Sequence, residues 1–250
     1  SINIIFASST GHVVVPATEH HAVLAAAKQH PHTLVSVSPK GIVAPQDIAA
    51  AIRPDTTLVS VALANNETRT VQPLRDIAEV IKLEKTRRFE AGEQTPLVFH
   101  SDASQGVGQI DVNVARLGVD AITINAGKIY GPKQVGLLWA NTSVKLSPII
   151  VGGGQERGLR SGTENVAGVI GFARALELAL GHTKFEAKRL GDLRNTLQAE
   201  LLKAFPNAVI TGSTKKRLPG HLHISFPGVD AERLIFALED RGLLAATGSA

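Results

Sequence analysis

A lysine near the middle of the chain lies where a reactive amine could be used. Lys128 closely follows the segment "VDAITIN" (119–125), whose alternating apolar residues predict a buried strand. A lysine in such a place is usually a surface residue or a member of an ion pair, because burying an unpaired ammonium group costs roughly several kcal/mol. Its chemistry therefore depends on which other side chains the fold brings near it.

Other polar side chains follow predicted strands in the same way. They are His20 after "HVVVP", Asn65 and Asn66 after "TLVSVAL", and Asp102 and Gln105 after "PLVFH". Ligands of open parallel sheets bind outside the carboxyl ends of the strands, so we expect these groups and the lysine amine to meet there. Each also has a purely structural interpretation, since Asp102 suits a helix N-cap, His20 a helix start and Asn65 a turn.

Strand-like and helix-like segments alternate over the first part of the chain. The predicted strands are "NIIF", "HVVVP", "TLVSV", "TTLVSVAL", "PLVFHSD" and "AITIN", and the predicted helices are "EHHAVLAAAKQH", "PQDIAAAI" and "PLRDIAEVIKLE". This order, with strands rich in Val, Leu and Ile, predicts an α/β fold with a mostly parallel sheet and helices on both faces. We expect residues 1–164 to form this larger, ligand-binding domain.

The pattern changes near residue 165. Two long amphipathic helices are predicted over 163–180 and 185–205, and "SGTE" (161–164) suits a capping box at the start of the first. A strand "HLHISFP" and a helix "DAERLIFALEDRG" follow. We therefore expect residues 165–250 to form a smaller C-terminal α/β domain.

Composition limits the classes of function. The basic runs "KTRR" and "KKR" are short and lack interleaved aromatic residues, so a net charge of +4 does not indicate nucleic-acid binding. No apolar run approaches the roughly 18 residues of a membrane helix and no signal-peptide pattern is present, so we expect a cytoplasmic protein without membrane partners. Cysteine is absent from all 250 residues, which excludes disulfides and thiolate metal sites within them.

The strand-end side chains match the requirements of pyridoxal 5'-phosphate. A lysine such as Lys128 forms a Schiff base with the cofactor's aldehyde, and a carboxylate such as Asp102 keeps the pyridine nitrogen protonated so that the ring accepts electrons. The flat ring of His20 can stack on the pyridine, and the amides of Asn66 and Gln105 can hydrogen-bond its phenolic oxygen. Their joint placement, more than any single residue, supports this interpretation.

Several motifs resemble the fold-type I, class V group of pyridoxal-phosphate enzymes and, within it, the NifS/IscS-like cysteine desulfurases. They are "TEHHAV", "NNETRTVQPL", "HSDASQGVGQIDVNV", "GKIYGPKQVG" and "GGGQERGLRSGTENVAG", and the resemblance runs from about residue 3 to 250. It implies that Lys128 is the Schiff-base lysine, that Asp102 pairs with the pyridine nitrogen and that His20 stacks on the ring. It also implies cofactor hydrogen bonds from Asn66 and Gln105.

The resemblance further implies a reaction and partners. L-cysteine would be converted to L-alanine while a cysteine thiolate of the enzyme takes the sulfur as a persulfide. The sulfur would then pass to an acceptor or scaffold protein for iron–sulfur cluster assembly or tRNA thiolation. A homodimer is also implied, in which Thr163 of "RSGT" reaches the phosphate bound by the neighbouring subunit.

Two features depart from the family pattern. The tripeptide before the lysine is Asn125-Ala126-Gly127 instead of a Ser-Gly-His type, which leaves Asn125 as the candidate side chain for the phosphate. Arg69 stands where a glycine normally follows "NNET". If this position needs a positive φ, the arginine costs about 1 kcal/mol or more.

Other expected segments are missing from the sequence. A phosphate-binding "SGGTE"-like turn is expected at "ASSTG" (7–11) but is not there. These few residues also separate the predicted strands "NIIF" and "HVVVP", whereas a crossover between parallel strands needs about a dozen. An antiparallel hairpin or a lost helix is therefore expected there. An N-terminal segment, a catalytic cysteine directly after "ATGSA" (246–250) and a substrate-binding arginine are expected outside these residues, so the chain is expected to be incomplete and inactive alone.

Two alternatives use the same features differently. A selenocysteine lyase or a class V aminotransferase would need the same lysine and aspartate. A catalytically inactive scaffold with the pyridoxal-phosphate fold is favoured by Arg69 and the missing phosphate turn, and disfavoured by the joint presence of Lys128, Asp102, His20 and Gln105.

Overall fold

One six-stranded sheet forms the centre of the protein in a computed structural model, which describes residues 1–244. Its strands are β1 (His12–Pro16), β2 (His32–Val35), β3 (Thr56–Ser60), β4 (Val98–Asp102), β5 (Ala121–Asn125) and β6 (Gly136–Ala140). They lie in the order β2-β1-β3-β4-β5-β6, with β6 antiparallel to β5 and the other pairs parallel. The predicted mostly parallel sheet is confirmed, whereas β6 was not predicted.

The helices connect these strands and extend beyond them. They are α1 (Ile2–Ala7), α2 (His21–Ala27), α3 (Pro45–Ala51), α4 (Leu74–Glu90), α5 (Val114–Leu117), α6 (Val166–Ala204) and α7 (Ala231–Glu239), with short 3-10 helices at Ala126–Ile129 and Glu156–Gly158. Among residues 1–244, no helix has the length and apolarity needed to cross a bilayer.

Helices cover both faces of the sheet because successive strand residues point to opposite sides. On one face Val14, Val59 and Phe99 form a core with α3, α4 and the first turns of α6. On the other face Val13 and Leu58 pack against α1 and α2. Burial on both faces explains why these strands carry nearly uninterrupted apolar residues.

The prediction of a strand at "NIIF" is wrong, since these residues lie in α1, where Ile5 and Phe6 are buried against the sheet. A short apolar run has no period that distinguishes a strand from a buried helix, so the sequence could not decide between them. Because α1 is not a strand beside β1, no crossover is required between them. The expected hairpin or lost helix at 7–11 therefore loses its basis.

The prediction of two long helices after residue 163 is also wrong, because α6 is one helix of 39 residues. At the predicted break, His182 Nδ1 lies 2.8 Å from the carbonyl oxygen of Leu178, and Thr183 Oγ1 donates to that of Ala179 at 2.9 Å. A glycine such as Gly181 costs only about 1 kcal/mol in a helix, too little to end it.

The C-terminal part contains a small antiparallel sheet of β7 (Val209–Ile210) and β8 (Ile224–Ser225). The strand predicted at "HLHISFP" is thus reduced to its centre, whereas the predicted helix forms as α7 and is capped by Asp230, which accepts from the Arg233 amide at 2.9 Å. The domain boundary at residue 165 stays a prediction. The segment 246–250, which precedes the expected cysteine, lies outside the described residues.

Candidate active site

A cavity of about 320 Å³ opens at the carboxyl ends of β1, β3, β4 and β5. Six of the seven residues predicted for the site line it, namely His20, Asn66, Asp102, Gln105, Asn125 and Lys128. The seventh, Thr163, does not. The cavity is large enough for a small cofactor, since ligand pockets start at roughly 300 Å³. The expectation that side chains from successive strand ends meet at one edge of the sheet therefore agrees with the geometry.

Lys128 lies on the short 3-10 helix that follows β5. Asn125 begins this helix by accepting a hydrogen bond from the Gly127 amide at 2.9 Å, and the buried Ala126 and Ile129 hold it against the core. The Lys128 side chain is exposed at the cavity, and it forms no ion pair within residues 1–244. The lysine is therefore an accessible amine at the end of a buried strand.

Asp102 presents one carboxylate oxygen to the cavity. Its Oδ1 accepts hydrogen bonds from the backbone N–H of Ser104 at 3.0 Å and from the Ser104 hydroxyl at 2.6 Å. These bonds fix the carboxylate plane and leave Oδ2 without a protein partner among the described residues. A half-buried carboxylate with one free oxygen is suited to accept a hydrogen bond from a cationic ring nitrogen.

His20 is both the start of a helix and a wall of the cavity. Its Nδ1 accepts from the Ala22 amide at 3.1 Å, so it caps α2. Because Nδ1 acts as an acceptor, the neutral ring carries its proton on Nε2. The ring is exposed at the cavity, where a flat ligand could stack on it. The helix-start interpretation and the ligand interpretation are therefore compatible.

The amides divide into structural and free groups. Asn65 forms the predicted turn, since its Oδ1 accepts from the amides of Glu67 at 2.9 Å and Thr68 at 2.8 Å. Its Nδ2 donates to the Thr18 carbonyl at 2.8 Å, which joins the loops after β3 and β1. Asn66 has no side-chain hydrogen bond within the described part of the chain and lines the cavity. It is thus the amide of this pair that could bind a ligand.

Glu19 is a functional candidate that the sequence reasoning missed. Its Oε1 accepts from the Ala62 amide at 2.6 Å, while its buried Oε2 has no hydrogen-bond partner within residues 1–244. The pKa of Glu19 is raised to about 8, because burial and, to a smaller extent, the nearby Asp102 outweigh the lowering effect of the Ala62 hydrogen bond. The sequence signal for Glu19 was an acidic residue in "ATEHH", the segment that follows a predicted strand, next to the predicted site residue His20.

His100 lies buried beneath the cavity. Its Nδ1 lies 2.8 Å from Ser60 Oγ, and its Nε2 lies 3.3 Å from the hydroxyl of Thr123, a cavity residue. Burial lowers the pKa of His100 to about 4, so the ring is neutral at physiological pH. It joins β3, β4 and β5 by neutral hydrogen bonds, a role that the alternating strand pattern did not indicate.

Thr163 is exposed and lies away from the cavity, shortly before α6. The helix is capped by Asn165, whose side chain accepts from the Gly168 amide at 3.0 Å, and not by the predicted capping box. In the preceding Gly-rich segment, Arg157 has a left-handed backbone with φ 58°. In a single chain Thr163 can therefore serve no ligand of this cavity.

The cavity suits pyridoxal phosphate better on its ring side than on its phosphate side. Lysine, carboxylate, imidazole and amide are all present for the aldehyde and the ring. For the phosphate, Asn125 has Oδ1 occupied by the Gly127 amide, so its Nδ2 remains as a donor. Within residues 1–244 no group of three or more His, Asp or Glu side chains could hold a metal ion. The side chains present therefore fit this cofactor, with few groups for its phosphate.

Comparisons with known proteins agree with this geometry. The family model described as "Aminotransferase class-V" matches residues 2–250. Among similar curated proteins, "Cysteine desulfurase IscS" of Dictyoglomus turgidum is 38% identical over 98% of this chain. "Cysteine desulfurase IscS 1" of Archaeoglobus fulgidus is 39% identical over 96%. The chain spans only 61% and 60% of the length of these relatives.

Solved structures give the same result. A "NifS-like protein" is superimposed with a TM-score of 0.88 at 33% identity, covering 100% of this chain and 68% of that one. The NifS-like protein of Rickettsia africae has a TM-score of 0.87 at 29% identity, covering 99% of this chain and 67% of that one. Class-V aminotransferases and cysteine desulfurases are pyridoxal-phosphate enzymes. On the match of nearly every residue, the chain belongs to the class-V aminotransferase family.

Proposed function

We propose that this chain is the cofactor-binding part of a cysteine desulfurase, which converts L-cysteine to L-alanine and transfers the sulfur to a thiol. The observation that carries the proposal is the cavity at the strand ends, where Lys128, Asp102 and His20 lie together. Relatives named cysteine desulfurase, 38% and 39% identical over nearly the whole chain, support the choice of substrate.

Bound pyridoxal phosphate would supply an aldehyde that captures amines and a ring that withdraws electrons from the substrate Cα. Lys128 Nζ would hold this aldehyde, because it is the one lysine amine at the cavity within residues 1–244. With substrate bound at the aldehyde, Lys128 Nζ would be available to take the Cα proton as a general base. Its exposed position at the end of a short helix allows both tasks.

Asp102 and His20 would determine the electronic state and the orientation of the ring. Asp102 Oδ2 is the free oxygen that can accept from the pyridine N–H, since Ser104 occupies Oδ1. The His20 ring forms one wall on which the pyridine can stack, while Asn66 and Gln105 can donate to its phenolic oxygen. Asn125 Nδ2 is then available to a phosphate oxygen.

Sulfur abstraction needs a nucleophilic thiolate, and none of the 250 residues is a cysteine. The thiol that accepts sulfur must therefore come from outside these residues. The further transfer to an acceptor or scaffold protein, for iron–sulfur cluster assembly or tRNA thiolation, forms part of the proposal. The cytoplasmic location stays a prediction.

A homodimer is also part of the proposal. The start of α6 exposes apolar residues at helical spacing, with Val166, Val169 and Ile170 being 63%, 50% and 64% exposed. Tyr130 and Val151 are two more large hydrophobic residues with exposed side chains. Such an accumulation of exposed apolar side chains is typical of a protein interface. A second copy would cover it and could bring Thr163 to the phosphate of the partner.

The test is chemical labelling of the purified chain. Incubation with pyridoxal phosphate, reduction by borohydride and peptide mapping should place a phosphopyridoxyl group on Lys128. Lys133, an exposed lysine five positions away, provides the matched control, because Lys133→Arg should retain the label and Lys128→Arg should lose it. A label on another lysine would contradict the assignment, and no saturable labelling would favour the inactive scaffold. Selenocysteine lyase and aminotransferase share this step and differ in the product formed.

A further inference from the structure

Arg69 departs from the family pattern, and its surroundings show what it contacts. Its backbone is left-handed, with φ 57°, a conformation that glycine adopts without strain and arginine does not. The backbone carbonyl accepts from the Leu218 amide at 2.9 Å, which fixes the turn to the C-terminal part. A strained position that keeps a long cation therefore needs a reason beyond the turn itself.

The guanidinium group points to that reason. Its Nη1 donates to Oε1 of Gln105, a residue that lines the cavity. Arg69 itself does not line the cavity, and its Nε is buried without a partner in the described part of the chain. Neutral His221 beside it, whose pKa burial and Arg69 lower to about 4, adds no competing charge. The cation therefore acts on the cavity through Gln105.

We propose that Arg69 is a positioning residue that fixes the carboxamide of Gln105 with its NH₂ group toward the cavity. A carboxamide has an oxygen and a nitrogen of nearly equal size, so a free side chain can present either one. With Oε1 held by a cation that can only donate, Nε2 is left as the free group, and it can donate to an anionic phenolic oxygen. This inference rests on the proposed function, and it assigns to Arg69 the orientation of one cofactor contact.

A double-mutant cycle on pyridoxal-phosphate affinity tests the coupling. We expect Arg69→Met to weaken binding by about three- to ten-fold, the effect of one hydrogen bond, in the chain that keeps Gln105. In a Gln105→Leu background the same change should have no effect, since the amide that Arg69 orients is gone. Lys216→Met removes one exposed positive charge on a neighbouring segment, and we expect it to leave the affinity unchanged.

Arg69→Gly separates this role from a purely structural one. Glycine relieves the left-handed strain, so the melting temperature should stay the same or rise, while cofactor affinity should fall as in Arg69→Met. A structural role predicts that affinity and stability change together. Equal effects of Arg69→Met in both backgrounds would show that Arg69 acts on the cofactor directly or by its charge. That result would overturn the inference about Arg69 but not the proposed function. Failure of the unmodified chain to bind pyridoxal phosphate would overturn the proposed function and the inference with it.

Discussion

The buried Glu19 allows a quantitative prediction about pH and stability. Its pKa rises from an ordinary value of 4.5 to about 8, mainly because burial disfavours the ionised form. Replacing it with glutamine keeps an oxygen that can accept from the Ala62 amide, now at 2.6 Å, but removes the titratable proton. The substitution therefore tests the protonation of Glu19 with little change in shape.

The direction of the pH effect on stability depends on whether the folded or the unfolded state holds the Glu19 proton. Below pH 4.5 Glu19 is protonated in both states, and between 4.5 and about 8 the folded protein keeps a proton that the unfolded chain releases. The free energy of unfolding of the native protein should therefore fall as pH rises through this window, by up to about 1.4 kcal/mol for each pH unit. Relaxation around a buried group reduces this, so a total of roughly 2–4 kcal/mol is expected. Glu19→Gln should abolish that part of the pH dependence.

Urea unfolding at a series of pH values from 5 to 9 measures the difference. The Glu19→Gln variant should gain stability relative to the native protein as pH rises. The buried His12 and His100 and the half-buried His221, whose pKa values burial lowers, are common to both proteins, so their contributions cancel. Glu67→Gln, at an exposed glutamate on a nearby turn, should follow the native protein at every pH. Parallel curves for the native protein and Glu19→Gln would refute the assigned protonation.

Two further predictions concern the site and the dimer. Asp102→Asn should leave the melting temperature within a few degrees but remove most cofactor-dependent Cα proton exchange, because a neutral amide no longer keeps the pyridine nitrogen protonated. The expected loss of transition-state stabilisation is a few kcal/mol. Exchange at the native rate would argue against this role. Val169→Glu on the exposed start of α6 should shift sedimentation toward a monomer, whereas Leu193→Glu, on an exposed part of α6 further along, should not; a native protein that is monomeric at high concentration would contradict the proposed interface.

Much of the site could be predicted because its side chains lie at the carboxyl ends of parallel strands. Strand ends are visible in the sequence, and the carboxyl ends of parallel strands share one edge, so His20, Asp102 and Lys128 were expected together before any geometry was known. The antiparallel β6 escaped prediction because "VGLLWA" is short and its pairing with β5 depends on the intervening turn, where Tyr130 and Gln134 have positive φ values of 61° and 66°. Conformations of this kind are rare for such residues and are not signalled by sequence patterns.

The contacts that sequence reasoning missed join loops to one another and do not lie within strands. Glu19 joins the loop after β1 to the end of β3, Asn65 joins the loop after β3 back to Thr18, and Arg69 contacts Gln105 on the loop after β4. These contacts join residues more than 30 positions apart, so no local pattern can show them. Side chains that touch no ligand therefore set the positions of those that do.

The two carboxyl groups near the cavity, Asp102 and Glu19, lie in different surroundings. Asp102 is half-buried, hydrogen-bonded by Ser104 and open to the cavity, where an ionised carboxylate can meet a cationic ring nitrogen. Glu19 is buried, and this burial, with a smaller effect of Asp102, raises its pKa to about 8, so its carboxyl group is mostly neutral at physiological pH. Glu19 therefore adds no negative charge beside the Asp102 carboxyl group. Asn125 is the identified donor for the cofactor's phosphate within one chain. A negative charge on Glu19 would repel that phosphate, so neutral Glu19 favours anion binding as well as the local fold.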